Sequence, residues 1–166
     1  EIEEISKMIE TPIVIDALAQ EIACVHIVVP RAEIQTVMGP GIVEIFEALS
    51  AQGMVPIGPW FTHHLKRPDD TFDFDICVPV ASPVTPVGRV KPGQLRATTV
   101  ARTIYQGGYE GLGEAWGEFL QWIEAQGHES AQDLWEVYLV GPESGPDPSQ
   151  WRTQLNRPLV AVKQLK

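Results

Sequence analysis

No apolar run in this sequence approaches the ~20 residues that a membrane-spanning helix needs, and no basic-then-apolar leader is read in it, so no membrane contact is expected. Basic charge is scarce. Twelve Lys and Arg stand against 22 Asp and Glu, a formal net charge of -10. Binding to a phosphate backbone requires clustered Lys and Arg, so direct contact with nucleic acid is not expected either. Cysteine is nearly missing. Cys24 and Cys77 stand far apart in the chain and lack the spacing of metal ligands; they read as small buried hydrophobes of a reduced, cytoplasmic protein. His63 and His64 are adjacent, and neighbours on a strand point to opposite faces, so they would not share a metal. A phosphate loop, a Ser-His-Asp set and a zinc motif are also lacking. No metal and no cofactor is expected.

What remains is a globular composition, 44% hydrophobic and 20% charged, of a length that fits a single domain over residues 1–166. Glu1 to Glu10 is acidic, with Ile2, Ile5 and Ile9 at helical or strand-entry spacing. Ile13-Val14-Ile15 reads as extended, and Ile22 to Val29 as a strand. Arg31 to Met38 is helix-compatible. Gly39-Pro40-Gly41 reads as a break, with Pro40 opening a second helical stretch. Ile42, Ile45, Phe46 and Leu49 form the apolar stripe of that stretch, which Gly53 ends. Trp60 to Leu65 and Phe72 to Val80 read as strands around a turn at Pro68-Asp69-Asp70. Ala81 to Gln94, rich in Pro and Gly, reads as a connector containing at most a short extended piece. Leu95 to Tyr105 is a strand; Gly107-Gly108 turns into Tyr109-Glu110-Gly111-Leu112, and a helix runs to Gln126. Leu134 to Val140, Trp151 to Leu155 and Leu159 to Val162 are strands.

This order repeats. Ala51-Gln52-Gly53 matches Ala125-Gln126-Gly127, and at the same offset Ile45 falls on Phe119 and Leu49 on Ile123. Trp60 falls on Trp135 with one residue inserted. The expected fold is α+β: two pseudo-symmetric βαββ repeats (about 20–80 and 95–162, joined by 81–94), antiparallel sheets with helices on one face, and a ligand cleft between the halves. Neither half has enough core alone, so the two should pack as one unit.

The chemistry centres on Leu134-Trp135-Glu136-Val137-Tyr138-Leu139. Alternation places Leu134, Glu136 and Tyr138 on one face and Trp135, Val137 and Leu139 on the other. The second set reads as core, with Trp135 turned toward the helix. The first puts a carboxylate beside a phenol on a half-apolar surface, where it must be solvated, neutralised or paired with a cation. By the repeat, Phe61 and His63 share the corresponding face of the first half. Asp75 offers that half a second acid. Tyr105 and Tyr109 flank the Gly107-Gly108 turn, and Trp116 sits near the start of the second helix, at core or cleft rim. Arg152 reads as a structural salt-bridge partner.

Gly58-Pro59, the run Asp75 to Val80, Gly107-Gly108-Tyr109-Glu110-Gly111-Leu112, Trp135-Glu136-Val137-Tyr138-Leu139 and Trp151-Arg152-Thr153 stand in the order found in the GyrI-like small-molecule-binding family. The resemblance covers roughly residues 20 to 160. That family includes effector-binding domains of multidrug-sensing AraC-type and MerR-type transcription regulators. The resemblance implies an aromatic cleft around an acid that matches Glu136, with lipophilic, cationic or planar ligands, and a role in sensing or sequestration. Some stand-alone members resemble hydrolases of cyclopropane-bearing electrophiles, in which case Glu136 and Tyr138 would be catalytic. Others inhibit DNA gyrase, so a protein partner or a homodimer stays open. The sequence departs from the family at Gln106 or Tyr105, where His is frequent, and at Asp75, where Glu is usual. No helix-turn-helix segment is read, so a stand-alone binding module is expected.

Overall fold

The computed structural model describes residues 8–66 and 69–161. The expectations for Ile2 and Ile5, for Pro68 and for Val162 lie outside the described residues. The elements in chain order are β1 (Ile13–Ala17), β2 (Gln20–Pro30), α1 (Ile34–Ala51), β3 (Phe61–His64), β4 (Thr71–Pro79), β5 (Lys91–Leu95), β6 (Thr98–Gln106), α2 (Leu112–Ala125), β7 (Glu129–Ser130), β8 (Leu134–Val140) and β9 (Arg152–Ala161). The fold is α+β, and βαββ occurs twice, as β2-α1-β3-β4 and as β6-α2-β8-β9.

The chain forms two compact units. One comprises Ala17–Thr98 and Gln132–Trp135; the other comprises the chain up to Asp16, Thr99–Ala131, and the chain from Glu136 on. In the first, the strand order is β5-β2-β4-β3. Strands β2 and β4 run antiparallel from Ile22↔Pro79 to Pro30↔Thr71. Val25, Ile27, Phe74, Ile76 and Val78 meet Ile45, Ala48 and Leu49 of α1 in one core cluster. In the second unit the order is β1-β6-β9-β8, with β7 paired to β9. Here Phe119 and Ile123 of α2 are buried with Val100, Ala101 and Leu155.

Both helices end alike. Gly53 and Gly127 take φ of +70° and +80°, the left-handed conformation that glycine adopts without steric cost. Met54 N–H then donates to the Leu49 carbonyl, and His128 N–H to the Ile123 carbonyl, each closing a helix end of the Schellman type. The two segments matched by sequence are therefore matched in backbone geometry.

Four expectations are corrected. The Gly39-Pro40-Gly41 break is absent: α1 is one helix with Pro40 inside it. Ile34, Val37 and Met38 on one side of the break and Ile42 on the other pack against one core, and Gly41 is buried against Ile76, so packing outweighs the hydrogen bond that Pro40 cannot make. The single strand Leu95 to Tyr105 is two, β5 and β6, with β5 paired to β2. The two C-terminal strands are one, β9, which continues through Pro158. Leu139, expected in the core, is exposed, whereas Leu134 is buried.

Candidate functional site

Strand β8 presents Glu136 and Tyr138 on one face, two residues apart. The Glu136 carboxylate, half-buried, is held at both oxygens. Trp116 Nε1 donates to Oε2 at 2.7 Å, and the Tyr138 hydroxyl donates to Oε1 at 2.7 Å. Trp116 comes from α2 and is itself buried. The face toward the helix is therefore the Glu136 face. This corrects the expectation that Trp135 would turn that way, although Trp135 is buried as expected. The reason is that an indole N–H needs a partner once buried, and Glu136 supplies it. Both donors are neutral. Among the described residues no Lys or Arg forms a salt bridge with Glu136, and both of its oxygens are held by neutral donors.

Aromatic rings extend from this acid. Tyr109 meets Tyr138 edge-on, with centroids 5.9 Å apart, and leans on Trp151 at 5.0 Å. On the other side Trp116 tilts against Phe119 at 5.7 Å. Burial pushes the Tyr109 phenol up to about 12, with the Glu143 and Glu136 carboxylates adding to the shift. Tyr109 is thus a neutral hydroxyl at physiological pH. Gly141 leaves room for it: a Cβ there would lie 2.9 Å from the Tyr109 oxygen. Trp151, which the sequence placed only in a strand, precedes β9 and joins this ring cluster, its Nε1 donating to the Gly145 carbonyl at 3.1 Å. The available signal was its place directly after the Gly/Pro-rich loop, where its carbonyl accepts from the Gly107 N–H at 3.0 Å.

Tyr105 is placed beneath the glycine turn. Its ring is buried, and its hydroxyl donates to the Gly108 carbonyl at 2.6 Å. Gly107, at φ +145°, lies so close that a Cβ would stand 2.7 Å from that hydroxyl. The ring therefore supports the turn from which Tyr109 projects. Arg152 pairs with Glu10 at 3.2 Å, a structural contact as expected.

The other three candidates belong to the first unit. Phe61 is buried. His63 Nε2 lies 2.8 Å from Asp133 Oδ2, with its ring edge-on to Trp135 at 5.8 Å. Arg96 completes this group with two bonds to Asp133, at 2.8 and 3.1 Å. Burial raises the Asp133 carboxyl, but the hydrogen bonds from His63 and Arg96, with the Arg96 charge, carry it well below the usual carboxylate range. Asp75 Oδ1 is 2.7 Å from His26 Nδ1. Among the described residues no group of three or more His, Cys, Asp and Glu is placed to hold a metal ion, and no helix is long and apolar enough to cross a membrane.

A family model described as the GyrI-like small molecule binding domain matches residues 11–159. No curated protein sequence matches the chain. Among solved structures, the C-terminal domain of EcmrR superposes with a TM-score of 0.82 at 20% identity, over 92% of this chain and 98% of that one. In the complex of EcmrR with DNA the TM-score is 0.83 at 20% identity, over 95% of this chain; this chain spans 59% of that longer protein. A hydrolase from Listeria innocua gives 0.65 at 14% identity, over 89% of this chain and 91% of that one. SAV2435 bound to tetraphenylphosphonium gives 0.61 at 10% identity, over 90% and 94%. At these identities the likenesses concern the fold.

Proposed function

The chain belongs to the GyrI-like small-molecule-binding family, and from that premise we propose that it senses or sequesters lipophilic, cationic or planar small molecules at Glu136. One observation carries the reading. Glu136 is half-buried among aromatic rings, has both oxygens held by neutral donors, and forms no ion pair among the described residues. A lipophilic cation supplies the missing positive charge without having to displace an arginine or lysine. The ring faces of Trp116, Tyr138, Tyr109 and Trp151 add cation–π attraction of about 0.5–2 kcal/mol each where they meet it. Such a site selects charge and flat apolar shape rather than one ligand. A structural neighbour, SAV2435, was solved with tetraphenylphosphonium, a ligand of that chemistry.

The test is titration of tetraphenylphosphonium into the wild type and Glu136→Gln, followed by tryptophan fluorescence and melting temperature. Gln keeps the shape, accepts from one donor and can donate to the Tyr138 oxygen. Removing a charge about 5 Å from a bound cation at an effective dielectric near 20 costs about 3.3 kcal/mol, so affinity falls roughly 250-fold. Equal binding by both folded proteins sinks the reading.

A second reading is hydrolysis of a reactive electrophile. It is favoured by the pairing of a carboxylate with a protonated phenol: Tyr109 lies near enough to Glu136 to feel its charge, so one could activate water and the other donate a proton. A neighbour from Listeria innocua is described as a hydrolase. Recovering a cyclopropane-bearing probe intact after incubation removes this reading. If no small molecule perturbs the protein, a protein partner such as DNA gyrase takes precedence.

A further inference from the structure

The two cysteines that the sequence separates are set opposite each other by the sheet. Cys24 on β2 is the register partner of Cys77 on β4. The ladder's ends show which kind of pair this is. Val80 N–H donates to the Glu21 carbonyl, and Arg31 N–H to the Asp70 carbonyl, both at 2.9 Å. Both bonds fall on odd-numbered β2-side positions of this register. Pro30 and Pro79, which have no N–H, sit in the even-numbered pairs Pro30↔Thr71 and Ile22↔Pro79. Hydrogen-bonded and non-hydrogen-bonded pairs alternate along an antiparallel ladder. Cys24↔Cys77 is therefore a non-hydrogen-bonded pair, with both side chains on one face and Cα atoms about 4.5 Å apart. That spacing lies at the short end of the range of about 4.4–6.8 Å that a disulfide spans.

Access differs between the two thiols. Cys77 is fully buried and its thiol donates to the Asp75 carbonyl at 3.7 Å. Cys24 is half-buried, donates to the Lys91 carbonyl at 3.6 Å, and opens into a surface pocket of about 480 Å³ that also presents His26, Asp75, Arg89 and Lys91. We infer that Cys24 and Cys77 form a reversible dithiol–disulfide site, oxidised through this pocket by a small-molecule disulfide bearing carboxylates. Lys91 suits such an oxidant, while Arg89 on the same rim is already paired with Glu44 at 2.7 Å.

The steps balance without any other reagent. The Cys24 thiolate attacks one sulfur of the small disulfide. That S–S bond breaks, one small thiol leaves with the proton Cys24 gave up, and a mixed disulfide forms. Cys77 then loses its proton, attacks the Cys24 sulfur and releases the second small thiol. Two protein thiols are oxidised and one small disulfide is reduced. The same exchange run in reverse with an added thiol returns both cysteines to the reduced form.

The surroundings set the rate. Cys24 faces His26 on its own strand, Asp75 and Cys77 on β4, Lys91 on β5 and Arg89 just before it. Burial, then the Asp75 charge, push the Cys24 thiol up to about 11, against a smaller opposing effect of Lys91. Only the thiolate attacks, so the site reacts slowly at neutral pH and about tenfold faster for each pH unit up to about pH 10.

The experiment incubates the native full chain with oxidised glutathione and follows thiol count, intact mass and a non-reducing peptide map. Expected is loss of both thiols together, a chain lighter by two hydrogens, a cross-linked peptide pair holding Cys24 and Cys77, and recovery with dithiothreitol. Cys77→Ala is expected to stop at a glutathione adduct on Cys24. Should that variant fail to fold, the wild-type map still decides. A stable Cys24 adduct beside a free Cys77, a disulfide between two chains, or two unreacted thiols at alkaline pH, each overturns the inference.

Discussion

Glu136 owes its position to two buried donors, Trp116 and Tyr138, and this makes the site testable one atom at a time. Trp116→Phe keeps a ring in the helix but withdraws the indole N–H from Oε2. A carboxylate oxygen left without its donor costs about 1–3 kcal/mol, and the melting temperature should fall accordingly; an unchanged midpoint would show that the bond holds nothing. Tyr109 gives a pH dependence of definite sign. Its phenol is pushed up to about 12, chiefly by burial, from an ordinary value near 10. A pKa raised on folding means that the folded state holds the proton more tightly. The resulting stabilisation is complete below about pH 10 and is lost as pH rises through about 12. Ultraviolet titration of the folded protein should show a late tyrosinate step that Tyr109→Phe lacks, and the wild type should lose more stability than that variant across this window. A normal titration of all phenols, with identical alkaline unfolding, would contradict the placement of Tyr109.

The two helices and their glycine ends were legible in the sequence, because 3.6-residue periodicity and a terminal Gly are local signals. What was not legible arose from contacts distant in sequence. Gly39-Pro40-Gly41 carries every local mark of a break, yet α1 passes through it, since Ile76 on β4 fills the space above Gly41. Likewise alternation placed Glu136 and Tyr138 on one face of β8, where they are hydrogen-bonded, but alternation alone cannot say which face of β8 the helix covers. Trp116 decides that, and its own role was undetermined until its indole was placed. The turn before α2 allows a sharper test of such packing. A Cβ at Gly111 would collide with the Tyr105 hydroxyl and stand 3.1 Å from Tyr105 Cζ. The ring cannot step aside while its hydroxyl is bonded to Gly108. Gly111→Ala should therefore cost about 1–3 kcal/mol, although its backbone, at φ -90°, accepts alanine. Gly113→Ala, where a Cβ meets nothing within 4 Å, should be neutral or stabilise by up to about 1 kcal/mol. Equal effects from both would mean that the close packing over Tyr105 is not rigid.

At the scale of the whole chain the duplicated βαββ order could be read directly, but its edges could not. Each unit takes its outer strand from the segment that leads into the other repeat: β1 precedes β2 yet pairs with β6, and β5 precedes β6 yet pairs with β2. Such strands are short and carry weak periodicity. Pro92 and Gly93 in β5 even argue against a strand, and are tolerated because β5 lies at an edge. The exchange makes the second unit depend on chain that is remote in sequence. Glu10 N–H donates to the Ile104 carbonyl at 3.0 Å, Thr103 Oγ1 to the Glu10 carbonyl at 2.6 Å, and Thr99 Oγ1 to Asp16 Oδ1 at 2.8 Å. Removing the chain before Gln20 should therefore speed amide exchange in β6 by at least about tenfold, equivalent to about 1.4 kcal/mol of local stability. The amides shared by β2 and β4 should keep their protection, because that ladder gains nothing from β1. The measurement is hydrogen exchange followed by mass spectrometry on the full and shortened chains. If protection fell equally in β2–β4 and β6, the two units would unfold as one and the exchanged strand would not be a local support. If β6 were unaffected, the β1 pairing would contribute no stability, and the second unit, with Glu136 in it, would stand on residues after Thr98 together with their own helix.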